Sequence, residues 1–154
     1  MALAIIAQPA EWTRWLGAGG LVACVWMDAV AGWLARRRTW LHSPFSRQSE
    51  LLADFICFIW APVAWVAADG LDWPAWAGAG VFVVAGAYRL ARFQAEGLVR
   101  GGYRGLPVTY NGYLIPLAGL LAATILPWSQ WIWPVVFVIL AGLMCTTRFV
   151  VPEF

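Results

Sequence analysis

Residues 15–38, "WLGAGGLVACVWMDAVAGWLARRR", decide the fold class of this chain. The stretch is apolar from residue 15 to residue 35 apart from one acidic residue, Asp28, and three arginines close it. A helix needs about 20 apolar residues to cross the roughly 30 Å hydrocarbon core of a bilayer. The stretch is therefore predicted to be a transmembrane helix with a basic border.

The composition extends this prediction to the whole chain. Of its 154 residues, 62% are hydrophobic and 12% are charged, whereas soluble domains are about half apolar and a quarter charged. Lipid forces the backbone of a spanning segment to pair within a helix. We therefore predict one all-α polytopic domain covering residues 1–154. Its five predicted spans are residues 15–35, 51–68, 74–92, 110–126 and 131–148.

The loop charges orient the predicted bundle. The arginines that follow the first and third spans are Arg36, Arg37, Arg38, Arg47, Arg92, Arg100 and Arg104. The loop "ADGLDW" after the second span is acidic, and "PWSQ" after the fourth is uncharged. Basic loops stay in the cytoplasm, so the N-terminus is expected outside and the C-terminus inside. The basic residues are then explained as topology signals in a bacterial inner membrane, where lipids are expected partners. No nucleic-acid partner is expected.

Three acidic residues stand out because a carboxylate within a span is costly. Asp28 lies near the inner end of the first span, and Glu50 and Asp54 lie at the start of the second. Residues four apart share a helix face, and the short connecting loop brings that face towards Asp28. Hard carboxylates suit Mg²⁺ or Mn²⁺. The alternative is that each carboxylate pairs with an arginine or caps its helix, and spacing alone favours it.

Residues 28–54 also resemble the signature of the CDP-alcohol phosphatidyltransferases, D-x-x-D-G-x-x-A-R followed after eight or nine residues by G-x-x-x-D-x-x-x-D. The matching positions are Asp28, Ala31, Gly32, Ala35, Arg36, Ser46, Glu50 and Asp54. Three further segments are similar to the phosphatidylserine synthase branch: "SPFSRQSELLADFICFIWAP", "YRLARFQ" and "YRGLPVTYNGY". The resemblance covers residues 28 to 116, in order.

The resemblance implies a site for a CDP-linked lipid. In the family four aspartates hold two divalent metals on the pyrophosphate, the last aspartate acts as base on the acceptor alcohol, and CMP leaves. Asp28, Glu50 and Asp54 would be the metal ligands here, with Asp54 also the catalytic base. The positions that would bind CDP or its phosphates are Gly32, Ala35, Arg36, Arg89 and Arg92.

Departures from the signature decide between two functions. The second aspartate is Ala31, the second glycine is Ser46 and the third aspartate is Glu50; the 27 residues before Asp28 leave room for one of the family's two preceding helices. We expect an impaired enzyme without a cofactor that acts as an accessory or structural subunit of a larger membrane protein complex. The alternative is an active, Mg²⁺- or Mn²⁺-dependent transferase moving a phosphatidyl group from CDP-diacylglycerol to a small alcohol.

Overall fold

The computed structural model describes residues 11–37, 44–68, 70–97, 102–125, 131–148 and 150–152. Helices hold 86% of these residues. The elements, in chain order, are α1 (Glu11–Arg37), α2 (Pro44–Phe55), a π-helical turn (Ile56–Trp60), α3 (Ala61–Ala67), α4 (Trp73–Glu96), β1 (Gly102–Arg104), a 3-10 turn (Val108–Tyr110), α5 (Asn111–Ile125), α6 (Ile132–Cys145) and β2 (Val150–Pro152). Since α2, the π turn and α3 run without interruption, they form one composite helix, and the described residues contain five helices, the number predicted.

The five helices differ in how well they could cross a bilayer. Two are long and apolar enough by length and composition, over Trp12–Ala35 and Phe45–Ala67. By contrast, α5 and α6 have 15 and 14 residues, and at a rise of 1.5 Å per residue each is only about 21–23 Å long. Residues 126–130, where the predicted fourth span ends, lie outside the described residues. The predicted fifth span runs to residue 148, but α6 ends at Cys145 because Thr146 adopts an extended backbone.

A short pair of strands departs from the all-α prediction. In β1 and β2, Tyr103 stands opposite Val151 in an antiparallel register. Just after β1, Gly105 has a φ of +73°, a conformation that glycine adopts readily. The turn lets Leu106 N–H donate to Leu143 O at 3.0 Å, so the segment docks on the end of α6. The strands thus pair beyond the helix ends, where sequence periodicity gives no signal.

The core lies between the composite helix, α4, α5 and α6. The backbones of α4 and α6 come close at Gly78, where a Cβ would stand 2.9 Å from Pro134 Cα. About one turn further along each helix, the rings of Phe82 and Phe137 pack with centroids 5.3 Å apart. The large side chains that are fully buried are Phe58, Phe82, Phe137, Ile59, Ile115, Met144 and Val66.

The first helix lies at the edge of this core. Trp65 Nε1 donates to Arg14 O at 3.2 Å and ties α1 to α3, and Leu21 of α1 is buried. The exposed large apolar residues of α1 are Trp12, Trp15, Leu16, Trp26, Met27, Val30, Trp33 and Leu34. A contiguous apolar face of this size marks contact with lipid or with another protein.

The π turn has a specific cause in Pro62. An α-helix would pair the N–H of residue 62 with Phe58 O, but proline has no N–H. The helix widens instead, and Ala61 N–H donates to Ile56 O, five residues back. Asn111 Nδ2 then donates to Phe58 O at 3.2 Å and contacts Met144 Sδ at 3.5 Å. One fully buried amide therefore joins α5 to the composite helix and α6.

We expect Asn111→Leu to lower the free energy of unfolding by about 1–3 kcal/mol, because a buried carbonyl that loses its donor carries that cost. Denaturant unfolding of the detergent-solubilised protein, followed by tryptophan fluorescence, measures the change.

A double-mutant cycle with Pro62→Ala supplies the control. The alanine restores an N–H that can reach Phe58 O, so Asn111→Leu should cost less in that background. Asn111 Oδ1 is buried and has no partner in the described residues. Because Asn111→Leu removes this atom in both backgrounds, its contribution to stability cancels in the cycle. An equal loss in both backgrounds would contradict the explanation of the π turn.

Candidate functional site

The acidic seam, defined as Asp28, Glu50 and Asp54, forms where α1 faces α2. Asp28 and Glu50 are close enough to repel each other, and Asp54 experiences the negative charge of both. Asp28 and Asp54 are partly buried and Glu50 is exposed. The structure thus brings the three acidic residues together from two helices, as their spacing suggested.

The described side chains show no ion pair between the acidic seam and an arginine. Arg37 turns away, and its guanidinium lies 4.0 Å from the centroid of the Trp33 ring. Arg36 belongs to α1 by its backbone, but its side chain lies outside the described residues. Partly buried carboxylates without a cation are costly. The described side chains therefore do not show the arginine pairing that was the alternative to a ligand.

The geometry of the seam is open. In the described ranges no three histidine, cysteine or acidic side chains stand close enough to enclose a metal ion. Ala31 offers no ligand and is exposed. Mg²⁺ often keeps several waters and uses only one or two carboxylates. Asp28 and Asp54 could at most hold a single hydrated divalent ion, and the residues present do not provide the four-carboxylate set for two metals.

The remaining positions of the signature lie beside the seam. Gly32 and Ala35 follow Asp28 by four and seven residues, a spacing that keeps them on one side of α1, and both are partly buried. Ser46 lies in α2 and is engaged in a non-covalent interaction, so it is not a free polar group. This side of α1 is the one on which a nucleotide would have to approach.

Two cysteines also line the seam, which the sequence reasoning missed. Cys24 and Cys57 lie within hydrogen-bonding reach of each other, and Cys57 is near Asp54 and Asp28. A signal was present, because Cys24 lies one helical turn before Asp28 and Cys57 one turn after Asp54.

The two arginines of "YRLARFQ" have different surroundings. Arg92 donates to Cys145 O at 3.1 Å, to Arg104 O at 3.0 Å and to Thr146 O at 3.5 Å. It therefore caps the C-terminus of α6, where carbonyls lack helical partners, and holds β1 against that end. A guanidinium with three such contacts has little capacity left for a ligand.

Arg89 is buried instead, with 4% of its surface exposed. Its guanidinium lies over the rings of Phe93 and Tyr103, with Cζ at 5.6 and 5.8 Å from their centroids. Its strongest electrostatic neighbours are Arg92 and Tyr103. The acidic seam is not among them, so Arg89 is no counter-ion of the carboxylates.

No protein-family model, no curated protein and no solved structure matches the chain. The likeness to the CDP-alcohol phosphatidyltransferases therefore rests on the sequence motifs alone.

Replacing Arg92 should loosen the junction of β1 with α6. Arg92→Met keeps the apolar stem but loses the contacts with three carbonyls, and hydrogen bonds to a charged group are worth about 1.5–3 kcal/mol. We expect lower stability and faster hydrogen exchange at the amide of residue 106 and in the strand pair.

Arg104→Met is the matched control. Its side chain forms an exposed pair with Glu96 at 3.4 Å, and such pairs contribute about 1 kcal/mol or less. Equal exchange rates in the two variants would show that Arg92 does not hold the junction.

Proposed function

We propose that this chain is an integral membrane protein descended from the CDP-alcohol phosphatidyltransferases that has lost efficient phosphatidyl transfer and serves as a subunit of a larger membrane complex in a bacterial inner membrane. The acidic seam carries the proposal. It keeps Asp28 and Asp54 together with no arginine paired to them among the described side chains, yet the neighbouring signature position is Ala31.

Membrane insertion is supported by the surface of the helices. The two longest apolar segments belong to α1 and the composite helix, and the outward side of α1 carries tryptophans, which favour membrane interfaces. On this proposal the N-terminus lies outside and the C-terminus in the cytoplasm. The acidic seam and the basic loops then share the cytoplasmic side, where a nucleotide-linked lipid is available.

The loss of transfer follows from the ligand set. A two-metal mechanism needs both ions to stabilise attacking and leaving oxygens, and the seam offers Asp28, Glu50 and Asp54 for that purpose. Removing one contributor to transition-state stabilisation typically lowers the rate by about 10²–10³-fold. A single Mg²⁺ or Mn²⁺ on the seam would still hold a phosphate beside Gly32 and Ala35, with Arg36 following on α1. Binding without efficient turnover is the expected result.

The subunit role is supported by open space on α1. A Cβ added at Gly19 or Gly20 would meet nothing within 4 Å, so these glycines are not required by packing inside the chain. Glycines on an exposed apolar helix let another helix approach closely. The exposed apolar residues around them, such as Leu16 and Trp26, would then be covered by a partner helix.

CMP release tests the loss of transfer. With purified protein, CDP-diacylglycerol, Mn²⁺ and either serine or inositol phosphate, we expect little CMP above background. Ala31→Asp restores the missing carboxylate and should raise CMP release, because it adds a metal ligand one turn from Asp28.

Asp54→Asn is the control for two assays of the seam, CMP release and Mn²⁺ binding. It should weaken Mn²⁺ binding measured by calorimetry and abolish any gain from Ala31→Asp. Robust CMP release by the unaltered protein that disappears in Asp54→Asn would instead establish the active transferase. That alternative is favoured by the retention of Asp28 and Asp54 next to each other on facing helices.

Native electrophoresis after mild detergent extraction tests the subunit role. We expect the protein in an assembly larger than a homodimer, and Gly19→Ile should release it because a branched side chain blocks close helix approach. Gly142→Ile on α6 is the matched control, since Gly142 also faces open space. A lone monomer or homodimer from the native membrane would contradict a subunit role.

A further inference from the structure

Arg89 presents a charge that the described chain does not neutralise. Only 4% of the residue is exposed, and Nε is buried without a hydrogen-bond partner. Arginine does not lose its proton in proteins, so the positive charge persists. The guanidinium fork is built to donate several hydrogen bonds to an oxyanion.

The aromatic contacts of Arg89 do not replace an anion. A cation gains less from lying over an aromatic ring than it loses when it is buried without a partner. The rings of Phe93 and Tyr103, 5.3 Å apart, therefore position the guanidinium and cover it without compensating its charge. Both rings are half-buried, so the guanidinium that they cover lies close to the surface.

Neighbouring charges leave the position electropositive. Arg92, one turn further along α4, adds a like charge and directs its hydrogen bonds to the end of α6. Glu96 is paired with Arg104. An anion at Arg89 would thus bind to one guanidinium, in the positive field of a second, without displacing a resident carboxylate.

The depth of Arg89 along α4 narrows the class of anion. Trp73, at the start of the helix, is exposed, and tryptophan favours the membrane interface. Arg89 follows 16 residues later, about 24 Å along the axis. This depth rests on the proposed membrane insertion: where α4 crosses a hydrocarbon core of about 30 Å, Arg89 lies within about one turn of the opposite interface, at the level of lipid phosphates.

We propose that Arg89 is the centre of a phosphate-binding site at the junction of α4 and β1, distinct from the acidic seam. Its ligand is a phosphate group, carried by a membrane lipid or free in solution, bound by the guanidinium behind Phe93 and Tyr103. The site does not require metal binding or turnover at the seam.

The test uses the full chain purified in dodecyl maltoside, an uncharged detergent. Calorimetry and thermal unfolding with inorganic phosphate, against chloride at equal ionic strength, probe the free anion. Native mass spectrometry with phosphatidylglycerol, against diacylglycerol, probes the lipid source. We expect Arg89→Gln to weaken phosphate binding at least tenfold and Arg89→Lys to retain part of it, because lysine keeps the charge without the fork.

Two controls separate this site from its surroundings and from the proposed function. Arg104→Gln removes an exposed arginine and should leave binding unchanged, as should Asp54→Asn, which disables only the seam. Binding of either probe that is lost in Arg89→Gln supports the site and identifies the source. Binding unaffected by Arg89→Gln would overturn it. So would an unaltered protein that neither binds nor is stabilised by either probe, a result that needs no variant to fold.

Discussion

The amide of Asn111 on the carbonyl of Phe58 holds three helices in register. Pro62 makes this contact necessary, because a proline in an apolar helix leaves a carbonyl that no water reaches. Asn111 opens α5, and its amide touches the composite helix and Met144 of α6 at once. The π turn that results carries Phe58 and Ile59 into the centre of the core. The packing of the bundle therefore depends on one satisfied carbonyl.

Arg92 applies the same rule at the other end of the core. The last carbonyls of α6 have no helical partner. The Arg92 guanidinium donates hydrogen bonds to two of these carbonyls and to one carbonyl of β1. A charged group near a helix C-terminus also benefits from the helix dipole. Both polar residues thus stabilise the fold by completing backbone hydrogen bonds in apolar surroundings. Arg92 is accordingly a structural residue at the position where the motif suggested a ligand.

The sequence predicted what depends on local pattern and missed what depends on long-range pairing. Apolar runs located five helices, and four-residue spacing placed Glu50 and Asp54 on one face. The strand pair escaped prediction because Tyr103 and Val151 are far apart in the chain. The different surroundings of Arg89 and Arg92 escaped it too, since two arginines three residues apart look alike until the end of α6 is placed. Cys24 and Cys57 meet for the same non-local reason.

Two groups of ionisable side chains, one acidic and one basic, lack a partner of opposite charge among the described residues. The acidic seam lacks a cation in the described residues, and Arg89 lacks an anion, yet neither serves the other. Buried charges without partners lower stability, and apolar replacements of similar volume often raise it. Packing alone therefore explains neither feature. We propose a ligand of opposite charge for each, a divalent cation at the seam and a phosphate at Arg89, and the surroundings of the two groups do not overlap.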